Sequence, residues 1–399
     1  MTEQLTRGFV ATDREARCPF DPSEQLAEMA RREEPTRVKV FEQEHGEVEV
    51  LTFHRYADVR ALYNDPRLDH SFIPAPDGAM QTAQPGFFPR FHGAEHARLR
   101  RMVAGSFTPK RVAQLRPRIE SVISELLDEV EEAGPGVDLF KAYALPLPSI
   151  VIGEILGIPS AEHRDFNQMC AGIVNLSLPP EEAFKNFTRL NDYVGGLVSQ
   201  NHKCPNDGLI GALVEQRHGE VSDDEIVGMV GALVLAGHET SASTIALSTL
   251  ALMQQPEQLA ILLDDTNSVA DATEELLRYT SVAGGFPRMA IEDVTVGGYT
   301  VKAGEWVVAS PLNANRDPEV VSGDPNTLDL ARQPIQVMTF GSGIHQCPGQ
   351  HLARIELQMA LIPLFRRFPG LRLAVPAEEL SFHRFGPNVY ALDALPVAW

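Results

Sequence analysis

The sequence predicts a mainly α-helical protein with small β-sheets. Three observations carry that expectation. Apolar residues recur at helical spacing through most of 90–280 and again over 349–368. One such run, Asp223 to Met253, is about twice the mean helix length or more. Alternating, strand-like segments are confined to about 36–53 and 282–310. No Gly/Ser-rich linker, charge run or internal repeat divides the 399 residues, so one domain over 1–399 is expected.

Taken in order, Asp21-Pro22 reads as the start of a short helix to about Arg32, with the aspartate as cap. Arg37–Phe41 and Glu47–Leu51 alternate around Gly46 and read as a hairpin, followed by a helix from Tyr56 to Tyr63. From Ser71 to Phe91 periodicity fails. Pro74, Pro76, Gly78, Pro85, Gly86 and Pro89 punctuate a segment that also carries Phe72, Phe87, Phe88 and Phe91. It is either a functional loop or a surface loop with its own apolar cluster. Helices are then expected over 112–133, 141–156, 161–176, 181–201 and 209–217. Pro117, Pro146 and Pro148 place the first two starts at or after themselves.

Formal charge is −20, which favours solubility and opposes non-specific binding to nucleic acid or anionic membranes. The four cysteines, Cys18, Cys170, Cys204 and Cys347, are scattered without a Cys-x-x-Cys pair, so neither a disulfide framework nor a zinc site is expected. The N-terminus carries no apolar signal-like run, and no stretch of about 20 apolar residues reads as a membrane span. A cytoplasmic protein is the expectation.

The chemistry centres on Phe340-Gly341-Ser342-Gly343-Ile344-His345-Gln346-Cys347-Pro348-Gly349. Its glycines permit a tight curl with room for something flat beside it. A helix from Gln350 to Phe368 follows, so Cys347 sits at a helix N-terminus, where backbone N–H groups favour a thiolate. A lone thiolate there suits a nucleophile or an axial metal ligand. Two further constellations precede it. Within the long helix, Ala236-Gly-His-Glu239-Thr240 combines glycine with an acid–hydroxyl pair, which predicts a locally opened helix and a proton relay. His96 and Arg100 share a helix face and either clamp a carboxylate or form a solvated surface. Glu275-Leu-Leu-Arg278 is by itself an ordinary helix-face pair.

Together, in this order, these segments resemble the cytochromes P-450, the haem-thiolate monooxygenases. The pattern Phe-Gly-x-Gly-x-His-x-Cys-x-Gly is similar to that family's haem-binding loop. The resemblance implies the P-450 fold and a haem b with Cys347 as axial iron ligand, Phe340 and Gly349 shaping the loop, and His345 near a propionate. It further implies propionate contacts from His96, Arg100 and Arg288, a Glu239–Thr240 pair that protonates bound oxygen, and a structural Glu275–Arg278–Arg332 network. Where relatives begin the His96 helix with an acid and two prolines, this chain has His92-Gly93-Ala94. The likeness runs from about 90 to 370 and is only general before that.

The implied function is insertion of one oxygen atom from O2 into a hydrophobic organic substrate, in natural-product biosynthesis. Electrons would come from NAD(P)H through ferredoxin reductase and ferredoxin, to a protein acting as a monomer. Two alternatives stand: a haem-thiolate enzyme of other chemistry (peroxygenase, phenol coupling, nitration), and a non-catalytic haem- or ligand-binding module. The pocket is expected from the 71–91 loop, the 169–182 joint, Leu233, Ala236, Val282–Phe286 and Phe385–Val389. A ferredoxin-docking patch is expected from Arg98, Arg101, Lys110, Arg111, Arg354, Arg366 and Arg367.

Overall fold

A computed structural model describes residues 12–15, 18–42, 46–69, 71, 84–174, 180–216, 220–385 and 389–399. The chain opens with α1 (Glu24–Ala30), β1 (Thr36–Glu42), β2 (Gly46–Phe53), α2 (Tyr56–Asn64) and β3 (Leu68–Asp69). The first helix is capped by Ser23, whose side chain accepts from the Leu26 N–H, and not by Asp21 as expected. The Asp21 carbonyl is engaged by the Glu15 N–H, and Pro22 bridges to Arg14. That pairing holds both residues in extended chain ahead of the helix.

Next come α3 (Gly93–Ala104), α4 (Pro109–Ala113), α5 (Arg116–Ala133), α6 (Pro146–Leu156), α7 (His163–Val174), α8 (Pro180–Asn201) and α9 (Leu209–Gln216). The expected helix over 112–133 is therefore two. Thr108 caps the short α4, and Pro117 lies in the first turn of α5, one residue later than its start. A π-helical turn, Phe140–Ala144, leads into α6, and Pro146 and Pro148 are both accommodated in that helix's first turn.

The long apolar run forms α10 (Asp223–Gln254), opened by a Ser222/Glu225 capping box. It is long and apolar enough to cross a membrane, contrary to the expectation that no such stretch exists. Here it is the central core helix. Its residues from Ile226 to Leu252 are mostly buried, and it packs against α6, α8, α14 (Gln350–Arg367) and the terminal sheet. Between α10 and α14 run α11 (Pro256–Leu263), α12 (Val269–Thr280), β4 (Arg288–Ala290), β5 (Val294–Val296), β6 (Tyr299–Val301), β7 (Trp306–Ala309) and α13 (Pro311–Ala314). The chain ends with β8 (Arg372–Leu373), β9 (Phe382–Phe385), β10 (Val389–Leu392) and β11 (Val397–Ala398).

The two β-containing parts read separately from sequence share one sheet of order β1-β2-β7-β4-β3. The hairpin pairs Val38 with Val50, and β2 then runs parallel to β7 with Leu51 opposite Val307. This join ties the N-terminal hairpin to the segment carrying Arg288. Much of the 71–91 loop, including Phe72, Pro74, Pro76 and Gly78, lies outside the described residues. Its described end packs tightly on α10: a Cβ at Gly228 would meet the Pro85 carbonyl oxygen at 1.9 Å. Only glycine allows that approach.

Candidate active site

The cysteine loop curls as its glycines predict. Gly341 and Gly343 have φ of +64° and +74°, and a Cβ at Gly343 would lie 2.6 Å from the Tyr63 carbonyl oxygen. The Cys347 N–H donates to the Phe340 carbonyl at 2.9 Å, closing the loop. Arg354 from α14 lies over the Phe340 ring at 4.4 Å and is itself gripped by Glu274 of α12. The loop is thus held against two helices by stacking and an ion pair.

The N-terminal setting of Cys347 is as expected, but its net effect is not. Burial pushes the thiol up, and the Gly349 and Gln350 N–H groups and the Arg100 and Arg354 charges only partly offset that. The helix end alone does not ionise this cysteine; a coordinated metal ion would. The helix starts at Gln350 with Gly349 as its cap. Pro348 therefore does not occupy the first helical position.

Cys347 lines a cavity of about 460 Å³ whose walls also include Thr240, Leu233, Ala236, His96, Arg100, Arg288, His345, Phe340 and Gly349. That size is ordinary for a small-molecule or cofactor site. Sequence positions spread over 250 residues thus meet in one space. Phe87, Phe88, Val282–Phe286 and Val389 line it too, as expected. Of the other expected walls, the 169–182 joint lies largely outside the described side chains, as does that of Phe385.

The cavity lining gathers nitrogen donors that form no ion pair with a carboxylate among the described residues. Arg288 is buried, donates to the Leu62 and Tyr63 carbonyls at 3.3 Å, and stacks on Tyr63 at 5.1 Å. Arg100 donates to the Gln346 carbonyl. Burial lowers the pKa of both guanidinium groups. His96 is buried, lies tilted against the His345 ring with centroids 3.9 Å apart, and keeps Nε2 without a hydrogen-bond partner among the described residues. Burial first, then the Arg100 charge and His92, push it down to about 4. Cations held away from water without a directly bonded counter-ion are costly. A flat group bearing carboxylates on one edge would supply those partners, so the residues present fit a haem.

Across the cavity α10 runs unbroken through Gly237–Thr240, contrary to the expected opening. The helix stays intact even though the Thr240 hydroxyl donates to the Ala236 carbonyl at 2.6 Å, a back-bond that disfavours helix; burial of its neighbours on α10 outweighs it. Glu239 is buried and absent from the cavity wall; His383 of β9 faces it at 3.7 Å. Sequence reasoning did not find His383. It also missed Glu356 of α14, buried beneath Ser241 of α10 and pushed by burial up to about 8. A helical heptad pattern gives no sign of a buried acid.

Glu275, Arg278 and Arg332 form the expected network, with bonds of 2.6 and 2.8 Å from Arg278 and 3.1 Å from Arg332. The docking patch shrinks. Arg98 pairs with Glu95 and Glu225, Arg354 with Glu274, Arg366 with Asp265, and Arg367 with Asp128 and Glu131. Only Arg101, Lys110 and Arg111 of the seven lack an ion pair among the described residues.

A thiol, a hydroxyl and three nitrogen-donor side chains thus line one cavity, a set that fits a haem-thiolate type of site. Comparison with known proteins agrees. The Cytochrome P450 family model matches residues 197–371. The chain is similar to Cytochrome P450-SU2 of Streptomyces griseolus, 40% identical and covering 98% of this chain and 96% of the relative. It is 39% identical to pentalenic acid synthase of Streptomyces avermitilis, with 98% and 97% covered. The structure of CYP105P1 in complex with filipin I superposes with a TM-score of 0.87 at 36% identity, covering 99% of each chain. The chain belongs to the cytochrome P450 family and is a haem-dependent monooxygenase of the bacterial type.

Proposed function

We propose that Cys347 is the axial ligand of a haem b whose propionates meet His96, Arg100 and Arg288, with His345 beside them. The enzyme inserts one atom of O2 into a C–H or C=C bond of a medium or large hydrophobic intermediate of natural-product biosynthesis. When bound, the haem supplies electron transfer and oxygen activation, and thiolate ligation favours O–O cleavage. The single observation that carries this reading is that Cys347 and Thr240 line one cavity together with His96, Arg100 and Arg288.

The chain's own groups take three tasks. The Gly349 and Gln350 N–H groups and the Arg100 and Arg354 charges stabilise negative charge on the Cys347 sulfur. Phe87, Phe88, Leu233, Val282 and Val389 exclude water and orient an apolar substrate. The Thr240 hydroxyl donates to Ala236, which leaves its oxygen lone pairs to accept a hydrogen bond from the cavity. Glu239 stores the proton passed inward.

Electrons come from NAD(P)H through ferredoxin reductase and a ferredoxin docking near Arg101, Lys110 and Arg111. We read residues 1–399 as one domain acting as a cytoplasmic monomer, a reading supported by relatives matched along nearly the whole chain. The test supplies the purified holoenzyme with NADPH, a ferredoxin and its reductase, or with peroxide alone, over compounds that shift its haem spectrum. Product with the electron chain supports the monooxygenase. Product only with peroxide favours a peroxygenase.

A further inference from the structure

Three ionisable side chains run in a line from the surface to the acid beside Thr240. The Asp393 side chain is 49% exposed, His383 23% and Glu239 2%. His383 Nδ1 lies 2.7 Å from Asp393 Oδ1, and its Nε2 lies 3.7 Å from Glu239 Oε1. That Glu239 oxygen is buried and takes no closer hydrogen bond. The ring sits on β9, paired with β10, and β10 packs against α10. The terminal sheet therefore delivers a histidine from a position 144 residues beyond Glu239 onto the helix face that carries the acid.

The groups that face the ring are Glu239 from α10 and Asp393 from the chain after β10. Burial alone would lower the titration of His383; the nearby Glu239 carboxylate, followed by Asp393, holds it above the ordinary 6.5. The imidazolium is thus favoured at the place where a proton must enter a dry site.

We propose that His383 is the proton carrier between solvent and Glu239, and that Asp393 is its positioning residue. The proposal rests on the reading of Glu239 and Thr240 as the inner relay. In the step, the Nε2–H bond of the imidazolium breaks and an O–H bond forms on Glu239 Oε1. A neutral carboxylic acid and a neutral imidazole remain, the imidazole keeping its Nδ1–H toward Asp393. The partly exposed ring then turns outward and takes its next proton from water at Nε2. No electrons move. The bland alternative is a salt bridge that only pins the terminal sheet to α10, and the two differ in what they predict for protons.

The test has two readouts on the holoenzyme. In the diamagnetic ferrous–CO form, nitrogen-edited NMR follows the His383 ring through a pH titration. Its pKa is expected above 6.5 in the wild type and at or below 6.5 in Glu239→Gln and in Asp393→Asn. In turnover, the wild-type rate should rise as pH falls through that pKa; His383→Gln should lose this limb, raise the solvent deuterium isotope effect and lower product per electron. An intact CO band certifies the folding of each variant, and Asp393→Asn, with the ring retained, should lose the same limb in part. A His383 pKa indifferent to Glu239→Gln, or a pH limb that survives His383→Gln, overturns the carrier. Uncoupling in Thr240→Ala and Glu239→Gln without any in His383→Gln removes the carrier and leaves the inner relay standing. Coupling unchanged in all three overturns the relay reading itself.

Discussion

Two regions of the core near the cavity are built differently. In the Glu275 network the polar groups are saturated. Arg278 uses all five of its N–H donors, on both Glu275 oxygens and on the carbonyls of Asn315, Pro325 and Thr327. Arg332 adds Glu275 and the Asp324 carbonyl. Along α10 the opposite holds: His238 Nε2, Glu239 Oε1, Ser243 Oγ and Ser248 Oγ are buried without a protein partner. The first region has one arrangement, because any shift strands a buried charge. The second holds buried polar groups that are free to take new partners, which a proton route needs.

The most severe way to break this contrast is Arg278→Ala. It strands the Glu275 carboxylate, and unfolding free energy should drop by about 3–5 kcal/mol. Urea unfolding of the holoenzyme checks it, and a loss below about 1 kcal/mol would show that network to be no more rigid than α10.

Acid titration probes the other region. Burial holds His238, whose Nδ1 meets Ser149, down to about 4, against 6.5 ordinarily. The unfolded chain therefore binds a proton near pH 6.5 that the folded chain refuses until about 4. Stability from this group falls as pH drops through that window, by about 2 kcal/mol between pH 7 and 5. Chemical unfolding at the two pH values should show this slope, and His238→Gln should remove it. His383 has the opposite sign. Its contribution is complete below pH 6.5 and is lost as pH rises through its higher folded value.

Thr240→Ala should leave stability and haem content nearly unchanged. Product per electron pair should fall on the order of tenfold as peroxide escapes, the modest end for a proton-transfer group that water can partly replace. Stoichiometry of NADPH, peroxide and product decides it, and full coupling would place the proton route elsewhere.

The smallest effect concerns Pro348. Because α14 begins at Gln350, its helix-start role is gone, and the sulfur already receives the Gly349 and Gln350 N–H groups. Pro348→Leu restores one more N–H and should raise the haem reduction potential slightly if it reaches sulfur. Spectroelectrochemical titration gives the answer; an unchanged potential means the two existing amides saturate the sulfur.

Legibility from sequence divides along the same line. The cysteine loop was readable because its glycines, ring and thiol are adjacent in the chain and each has a local reason. Helix positions came through periodicity, while boundaries failed where tertiary bonds decide them, as when the Glu15 N–H holds Asp21 out of α1. The opening expected at Gly237–Thr240 does not occur, because packing along the buried length of α10 holds the helix although the Thr240 hydroxyl bonds back to Ala236. His383 and Glu356 left no trace, since their partners Glu239 and Ser241 lie more than 100 residues away along the chain, and Asp393 gains its meaning only through His383. The docking patch is narrower than the sequence suggests for a related reason: sequence counts cations but not the carboxylates folded against them, such as Glu131 on Arg367.

The central claim is that Cys347 ligates the haem iron as a thiolate, and the ferrous–CO spectrum tests it most directly. The wild type should absorb near ~450 nm, the mark of a thiolate opposite CO, and Cys347→Ser should lose that band. Wild-type protein that binds no haem, or a Cys347→Ser variant that keeps the band, would contradict the account.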